Sequence, residues 1–160
     1  MFKHLLLPTA GSPLSARAID QGLALAKQLG AKASILTVLE PLRAFNASSE
    51  LLADVRESFE KGSREAADRT LQAAADQAAA LGVPASTHVV TGSQPYRQII
   101  DAATQAGCDL IVMASHGRRG VSGLLMGSVT QKVLTHSTIP VLVLRPQASR
   151  PQAGATPPAR

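Results

Sequence analysis

The chain has 160 residues, 45% hydrophobic and 17% charged, a composition that fits one soluble globular domain able to bury about two-thirds of its unfolded surface. Aromatic residues make up 2%, with no Trp, so the core is built from Ala, Leu, Val and Ile, and few stacking platforms exist for single-stranded nucleic acid. The net charge of +5 does not point to nucleic acid either: Arg145, Arg150 and Arg160 stand in a C-terminal stretch without acidic residues, and the remainder is close to balance.

The first apolar run, Leu5-Leu6-Leu7, ends at Pro8-Thr9-Ala10-Gly11 and reads as a buried strand followed by a turn. It is too short for a signal peptide, and no segment reaches the roughly 18 apolar residues of a membrane span, so the expected location is cytoplasmic. Ser12 is an N-cap with Pro13 at the first helical position; Leu14, Ala18, Leu25 and Leu29 share a face, and Gly30 stops the helix. Ala33 to Leu39 is a second strand, closed by Glu40-Pro41. A long helix then runs from about Glu50 to Leu81. Leu51, Val55 and Phe59 begin its apolar stripe and alanines after Ala66 continue it. Glu57/Lys61, Glu60/Arg64 and Glu65/Arg69 are spaced for i,i+4 pairing on the wet side.

Gly82-Val83-Pro84 breaks that helix and starts a third strand to about Val90. Ser86, Thr87 and His88 give it one wet face and an edge position, with His88 a surface residue. Thr91-Gly92-Ser93 turns into a helix from Pro95 to about Ala106, stopped by Gly107. The single cysteine, Cys108, excludes an internal disulfide and reads as a small buried thiol ahead of an apolar run. The four histidines, His4, His88, His116 and His136, show no metal-ligand spacing, so no metal site is expected. Leu110 to Ala114 is the fourth strand, and a helix from about Gly127 to His136 leads to the fifth, Ile139 to Leu144. Strands alternating with helices argue for an α/β domain with a parallel sheet covered on both faces. The Pro-rich basic segment 146–160 has no periodicity and reads as a disordered tail behind a domain of residues 1–145.

The stretch from Ala114 to Gly123, leading to Gly127-Ser128-Val129-Thr130, holds the chemistry. It begins at the carboxyl end of a strand and ends at a helix start, the edge where ligands sit in open parallel sheets. Glycines allow close backbone approach and the free N–H groups of a helix start favour an anion. Ser128 and Thr130 add hydroxyls, and Arg118 and Arg119 add charge. Neither G-x-x-x-x-G-K-[ST] nor G-x-G-x-x-G after the first strand is present. A Ser115–His116–Asp109 triad is disfavoured because neighbours on a strand point to opposite faces, and no catalytic residue is assigned.

These residues resemble the universal stress protein family, marked by G-x-x-G followed nine residues later by G-[ST]. Gly117, nine intervening residues and Gly127-Ser128 reproduce the second half. Val112 to Gly117, Ser128 to Val133, Ile139 to Val143, Leu6-Leu7-Pro8-Thr9 and Thr91-Gly92-Ser93 also match, over residues 1 to about 145. The resemblance implies an open twisted five-stranded parallel sheet of order 3-2-1-4-5, Rossmann-like, with helices on both faces. It implies an adenine nucleotide, ATP with or without Mg²⁺, held by a stress-response sensor or regulator. Gly117, Gly127, Ser128 and Val129 would line the phosphates and Val38 and Met113 the adenine, with Pro8, Thr9, Ala10, Ala114, His116, Arg118 and Thr130 completing the site. It also implies a homodimer through Val141, Leu142, Val143 and Leu144, and a regulatory protein partner that the sequence does not name. Two positions depart from the pattern: Ala114 replaces the first motif glycine, and Ala10 stands where nucleotide-binding members carry an Asp at the nucleoside end. Two alternatives follow: a dimeric interaction module that has lost the nucleotide, and a weak ATP hydrolase with His116 as base.

Overall fold

The computed structural model describes residues 1–42, 50–116 and 126–145. The expected tail and most of the glycine loop, Gly117 and Arg118 included, lie outside the described residues. Strands and helices alternate as β1 (His4–Pro8), α1 (Pro13–Leu29), β2 (Lys32–Leu39), α2 (Glu50–Leu81), β3 (Ala85–Thr91), α3 (Pro95–Gln105), β4 (Leu110–Ala114), α4 (Ser128–His136) and β5 (Val141–Leu144). The strands pair in parallel in the order β3-β2-β1-β4-β5, the order that the resemblance implies.

Unbroken apolar runs in β1 and β4 follow from burial on both faces, because successive side chains point to opposite sides. Leu5, Leu7, Ile35, Leu110 and Val112 pack with Ile19, Leu23 and Ala26 of α1 and Leu71, Ala74 and Ala78 of α2. Leu6, Leu36, Ile111 and Met113 pack on the other side with Ile99 and Ala103 of α3 and Val133 of α4. The edge strand β3 is largely exposed, and His88 lies on the surface, hydrogen-bonded to Ser86 Oγ at 3.0 Å. β5 begins two residues later than expected. Ser137 Oγ accepts from Ile139 N and donates to Ile139 O, which turns the chain before the strand.

Helix α1 keeps its expected ends. Ser12 and Ser15 form a reciprocal capping box, and Gly30 closes the helix at φ 60°. Its buried face differs from the expected Leu14–Ala18–Leu25–Leu29 set: Ser15, Ala18, Ile19, Gly22, Leu23 and Ala26 are buried, while Leu14, Leu25 and Leu29 flank them. Small residues let the helix lie close on the sheet; a Cβ at Gly22 would stand 2.6 Å from Leu7 Cδ2.

Helix α2 departs further. Ala67, Leu71, Ala74 and Ala78 are buried, but Val55 is 53% and Phe59 46% exposed, so these two members of the expected stripe are not core; the Leu51 side chain lies outside the described ones. A helix of 32 residues is about 48 Å long, whereas the eight residues of β2 span roughly 26 Å. The sheet covers only the second half of the helix. The expected ion pairs are not formed among the described side chains; Arg64 Nε meets Asp68 Oδ1 at 3.2 Å instead, an exposed pair contributing a few tenths of a kcal/mol.

Asp109 fastens the amino ends of the central strands. Its carboxylate accepts from Lys3 N at 2.8 Å and His4 N at 3.0 Å. Partial burial pulls its pKa up, but the backbone donors at His4 and Lys3 together outweigh this and hold it below the usual carboxylate value. A group whose pKa is depressed on folding stabilises the fold above its unfolded pKa, about 3.9 for Asp, and loses that contribution as pH falls through the folded value. Urea midpoints measured from pH 6 to pH 2.5 should therefore fall less steeply below about pH 4 in Asp109→Asn than in the parent. Parallel curves would remove Asp109 from the acid response.

Candidate functional site

The chain leaves the carboxyl ends of the two central strands in opposite directions: β1 feeds α1 on one face, and β4 leads towards α4 on the other. Such a switch point opens a crevice at the sheet edge. Pro8 ends β1, and Thr9 N continues the pairing by donating to Leu36 O at 2.8 Å. The buried Thr9 hydroxyl donates to Ser15 Oγ at 3.2 Å and accepts from Gly11 N at 3.3 Å. It is committed to the turn before α1. Ala10 is half-buried between Thr9 and Gly11, whose φ of 69° the turn requires.

Across the crevice, β4 and α4 are tied together by backbone. Gly127 N donates to Ser115 O at 2.8 Å, and the buried Thr130 Oγ1 donates to Ala114 O at 3.1 Å. An added Cβ at Gly127 would sit 3.2 Å from Ser115 O and 3.4 Å from His116 Cα, so a side chain there would need the strand end and the helix start to part by a few tenths of an ångström. Thr130 thus positions α4 with its hydroxyl, and that hydroxyl is already engaged. The first helical bond runs from Gln131 N to Gly127 O at 3.0 Å, leaving the N–H groups of Ser128, Val129 and Thr130 without acceptors inside the helix. The helix starts beside the β1/β4 switch point differ: α1 is capped by Ser12 and Ser15, whereas α4, like α3 farther along the same edge, has no side-chain cap.

The electrostatics point the same way. Residues 5–19, 110–116 and 126–145 contain no Asp or Glu, and the loop sequence between β4 and α4 contains none while carrying Arg118 and Arg119. Donors without acidic neighbours suit an anion. Met113, Val38 and Val129 belong to the same apolar cluster on the α3–α4 side, so three of the expected lining residues are gathered on one side of the edge.

One expectation is corrected. Ser115 and His116 do not point apart: Ser115 Oγ and His116 Nδ1 are 2.8 Å from each other. β4 ends at Ala114, so strand alternation no longer governs the pair. The contact does not make a triad, because Asp109 binds Lys3 and His4 at the other end of β4. His116 Nε2 is screened from solvent and has no hydrogen-bond partner among the described residues, which leaves one polar atom of the site to be satisfied. Thr37 Oγ1, near the end of β2, is in the same condition. Sequence reading passed over Thr37; a lone hydroxyl in the otherwise apolar run Ile35-Leu36-Thr37-Val38-Leu39 was the available signal. No group of three or more His, Cys, Asp or Glu among the described residues can hold a metal ion, and no described helix is long and apolar enough to cross a membrane.

Comparison with known proteins places these features in a family context. The model of the universal stress protein family matches residues 1–145. Universal stress protein YxiE of Bacillus subtilis is 35% identical over 149 residues, covering 91% of this chain and all of that protein. Among solved structures, universal stress protein UspA from Lactobacillus plantarum superposes with a TM-score of 0.79 at 22% identity, covering 89% of this chain and 97% of that one. A universal stress protein solved in complex with cAMP is 26% identical, with a TM-score of 0.64 over 90% of this chain and 97% of that one.

Proposed function

Since this chain belongs to the universal stress protein family, we propose that it binds an adenine nucleotide, ATP, at the carboxyl edge of β1 and β4 and acts as a cytoplasmic sensor or regulator in a stress response. The observation that carries the reading is the uncapped start of α4, drawn against the end of β4 by Gly127, with no carboxylate in residues 5–19, 110–116 or 126–145 that frame it. In this reading Ser128, Val129 and Thr130 offer backbone N–H groups to the phosphates, with Ser128 adding its hydroxyl and Gly117 and Arg118 closing the loop side. Adenine lies beside Val38 and Met113. Pro8, Thr9, Ala10, Ala114 and His116 form the remaining wall, with His116 Nε2 free to bond the ligand.

Support from a relative is specific to that relative: one family member was solved with cAMP. For this chain the test is calorimetric titration with ATP and Mg²⁺, ADP and adenosine. Saturable heat below millimolar ligand is expected, with affinity falling in that order because the phosphate half of the site is the complete half. No heat at millimolar ATP would overturn the proposal. In that event Ala10 favours the second reading, a family member that works as an interaction module without nucleotide.

The same proposal includes a homodimer formed by β5. It is an apolar strand at the sheet edge, with Leu142 40% exposed, and an open apolar edge is otherwise a liability for aggregation. The domain is taken as residues 1–145, with 146–160 as an appended basic tail.

A further inference from the structure

The projecting half of α2 carries features that packing among the described residues leaves unused. Val55 and Phe59, one turn apart, are among the most exposed large apolar side chains of the described residues. Gly62 lies in the helix interior, where glycine weakens a helix relative to alanine, yet a Cβ there would meet nothing within 4 Å. Among the described residues no turn, positive φ or close neighbour calls for a glycine at this position. Arg56 and Glu60 are both exposed, and neither forms an ion pair among the described residues.

We propose that this half of α2 is a docking face for the same helix of a second copy of the chain, antiparallel about a two-fold axis at Phe59. The occupant follows from complementarity. At about 100° and 1.5 Å per residue, Val55 and Gly62 fall on one side of Phe59, and Arg56 and Glu60 on the other. A two-fold axis across antiparallel helices keeps sides and reverses heights. Phe59 then meets the second copy's own Phe59. Val55 comes level with Gly62 of the second copy, within about 1.5 Å along the axis, where the missing side chain leaves a hole. Arg56 comes within about 3 Å along the axis of the second copy's Glu60, and the axis makes each of these contacts twice. The body of each copy begins at Ala67, where α2 becomes buried, so the two bodies sit at opposite ends of the helix pair. A contact of a few turns falls below the roughly 800 Å² per partner of a standard interface, so the association is concentration-dependent. It uses the helix that packs on β2 and β3, on the far side of the sheet from β5.

The test is cross-linking of the full chain. Packed helices lie about 8–10 Å apart, which brings Cα atoms facing across the axis within disulfide reach of roughly 4.4–6.8 Å. The native Cys108 is buried, and burial, partly offset by a hydrogen bond from Ser34, pushes its thiol up to about 11, so it does not compete. Under mild oxidation Phe59→Cys should form covalent dimer at least tenfold faster than Lys61→Cys, which sits on the opposite side of the same helix. Adding Arg56→Glu to Phe59→Cys should slow the reaction, and adding Glu60→Arg as well should restore it, since the exchanged charges again meet across the axis. Equal rates at positions 59 and 61 would overturn the proposal, as would a charge exchange that slows the reaction further. If the tail or another protein covers this face, Phe59→Cys stays monomeric, which overturns it too. A dimer through β5 or loss of nucleotide binding leaves these rates unchanged.

Discussion

Leu7→Ala should lower the stability of the fold by about 3–5 kcal/mol, the upper range for truncating a buried leucine. Leu7 is fully buried in β1, next to the centre of the sheet's α1–α2 face, where neighbours from β2, β4, α1 and α2 cannot close in together. Its side chain also fills the space that a Cβ at Gly22 would need, at 2.6 Å from Cδ2. Gly22→Ala alone should destabilise by about 1–3 kcal/mol through overpacking, offset by up to about 1 kcal/mol of helix propensity. Made in the Leu7→Ala background, the same change should be neutral or stabilising, because the obstructing methyl group is gone. Urea unfolding of the four proteins closes the cycle. Additive effects, with no coupling of at least about 0.5 kcal/mol, would mean that α1 shifts away from the sheet to make room and that the close contact is not a constraint.

Ala10→Asp should strengthen ATP binding by roughly tenfold to a hundredfold. A charged acceptor at the nucleoside end contributes about 1.5–3 kcal/mol per hydrogen bond, and Ala10, half-buried at the turn leaving β1, is the position at which the family resemblance implies an Asp. The gain should be as large for adenosine as for ATP, since the added group faces the nucleoside and not the phosphates. Repulsion between the new carboxylate and the triphosphate is screened beyond about 8–10 Å at ordinary salt, and the comparison with adenosine separates it from the gain. Ala10→Asn, which keeps the acceptor without the charge, should recover only part of the effect. An unchanged or weaker affinity for adenosine in Ala10→Asp would remove position 10 from the nucleoside pocket.

The elements themselves were legible because their signals are local. Ser12-Pro13 and Gly30 bound α1, Gly82-Val83-Pro84 ends α2, and the both-face burial of Leu5-Leu6-Leu7 and Leu110 to Ala114 shows as unbroken apolar runs. The spacing from Gly117 to Gly127-Ser128 marked the edge at which the site would form. Less legible was what each site residue does there. The Thr130 hydroxyl was expected to add a donor for a phosphate and instead donates to Ala114 O, and the Thr9 hydroxyl is taken up by the turn before α1. Ser115 and His116 were expected to point apart and instead bond to each other, because the strand ends one residue before them.

The sequence by itself determined the order of strands and helices, the ends of α1, the edge character of β3, the burial of Cys108 and the family. Each rests on residues within a few positions of one another, or on a motif whose spacing is preserved along the chain. Only the tertiary structure decided that α1 lies on the sheet through Gly22 against Leu7, and that α2 outruns the sheet and leaves Val55 and Phe59 in solvent. It alone brought Gly127 against the end of β4. These depend on distances between segments far apart in the chain and on the length of one element relative to another. A hydrophobic period reports which face of a helix is apolar, and it carries no information about how much of that face another element is long enough to cover.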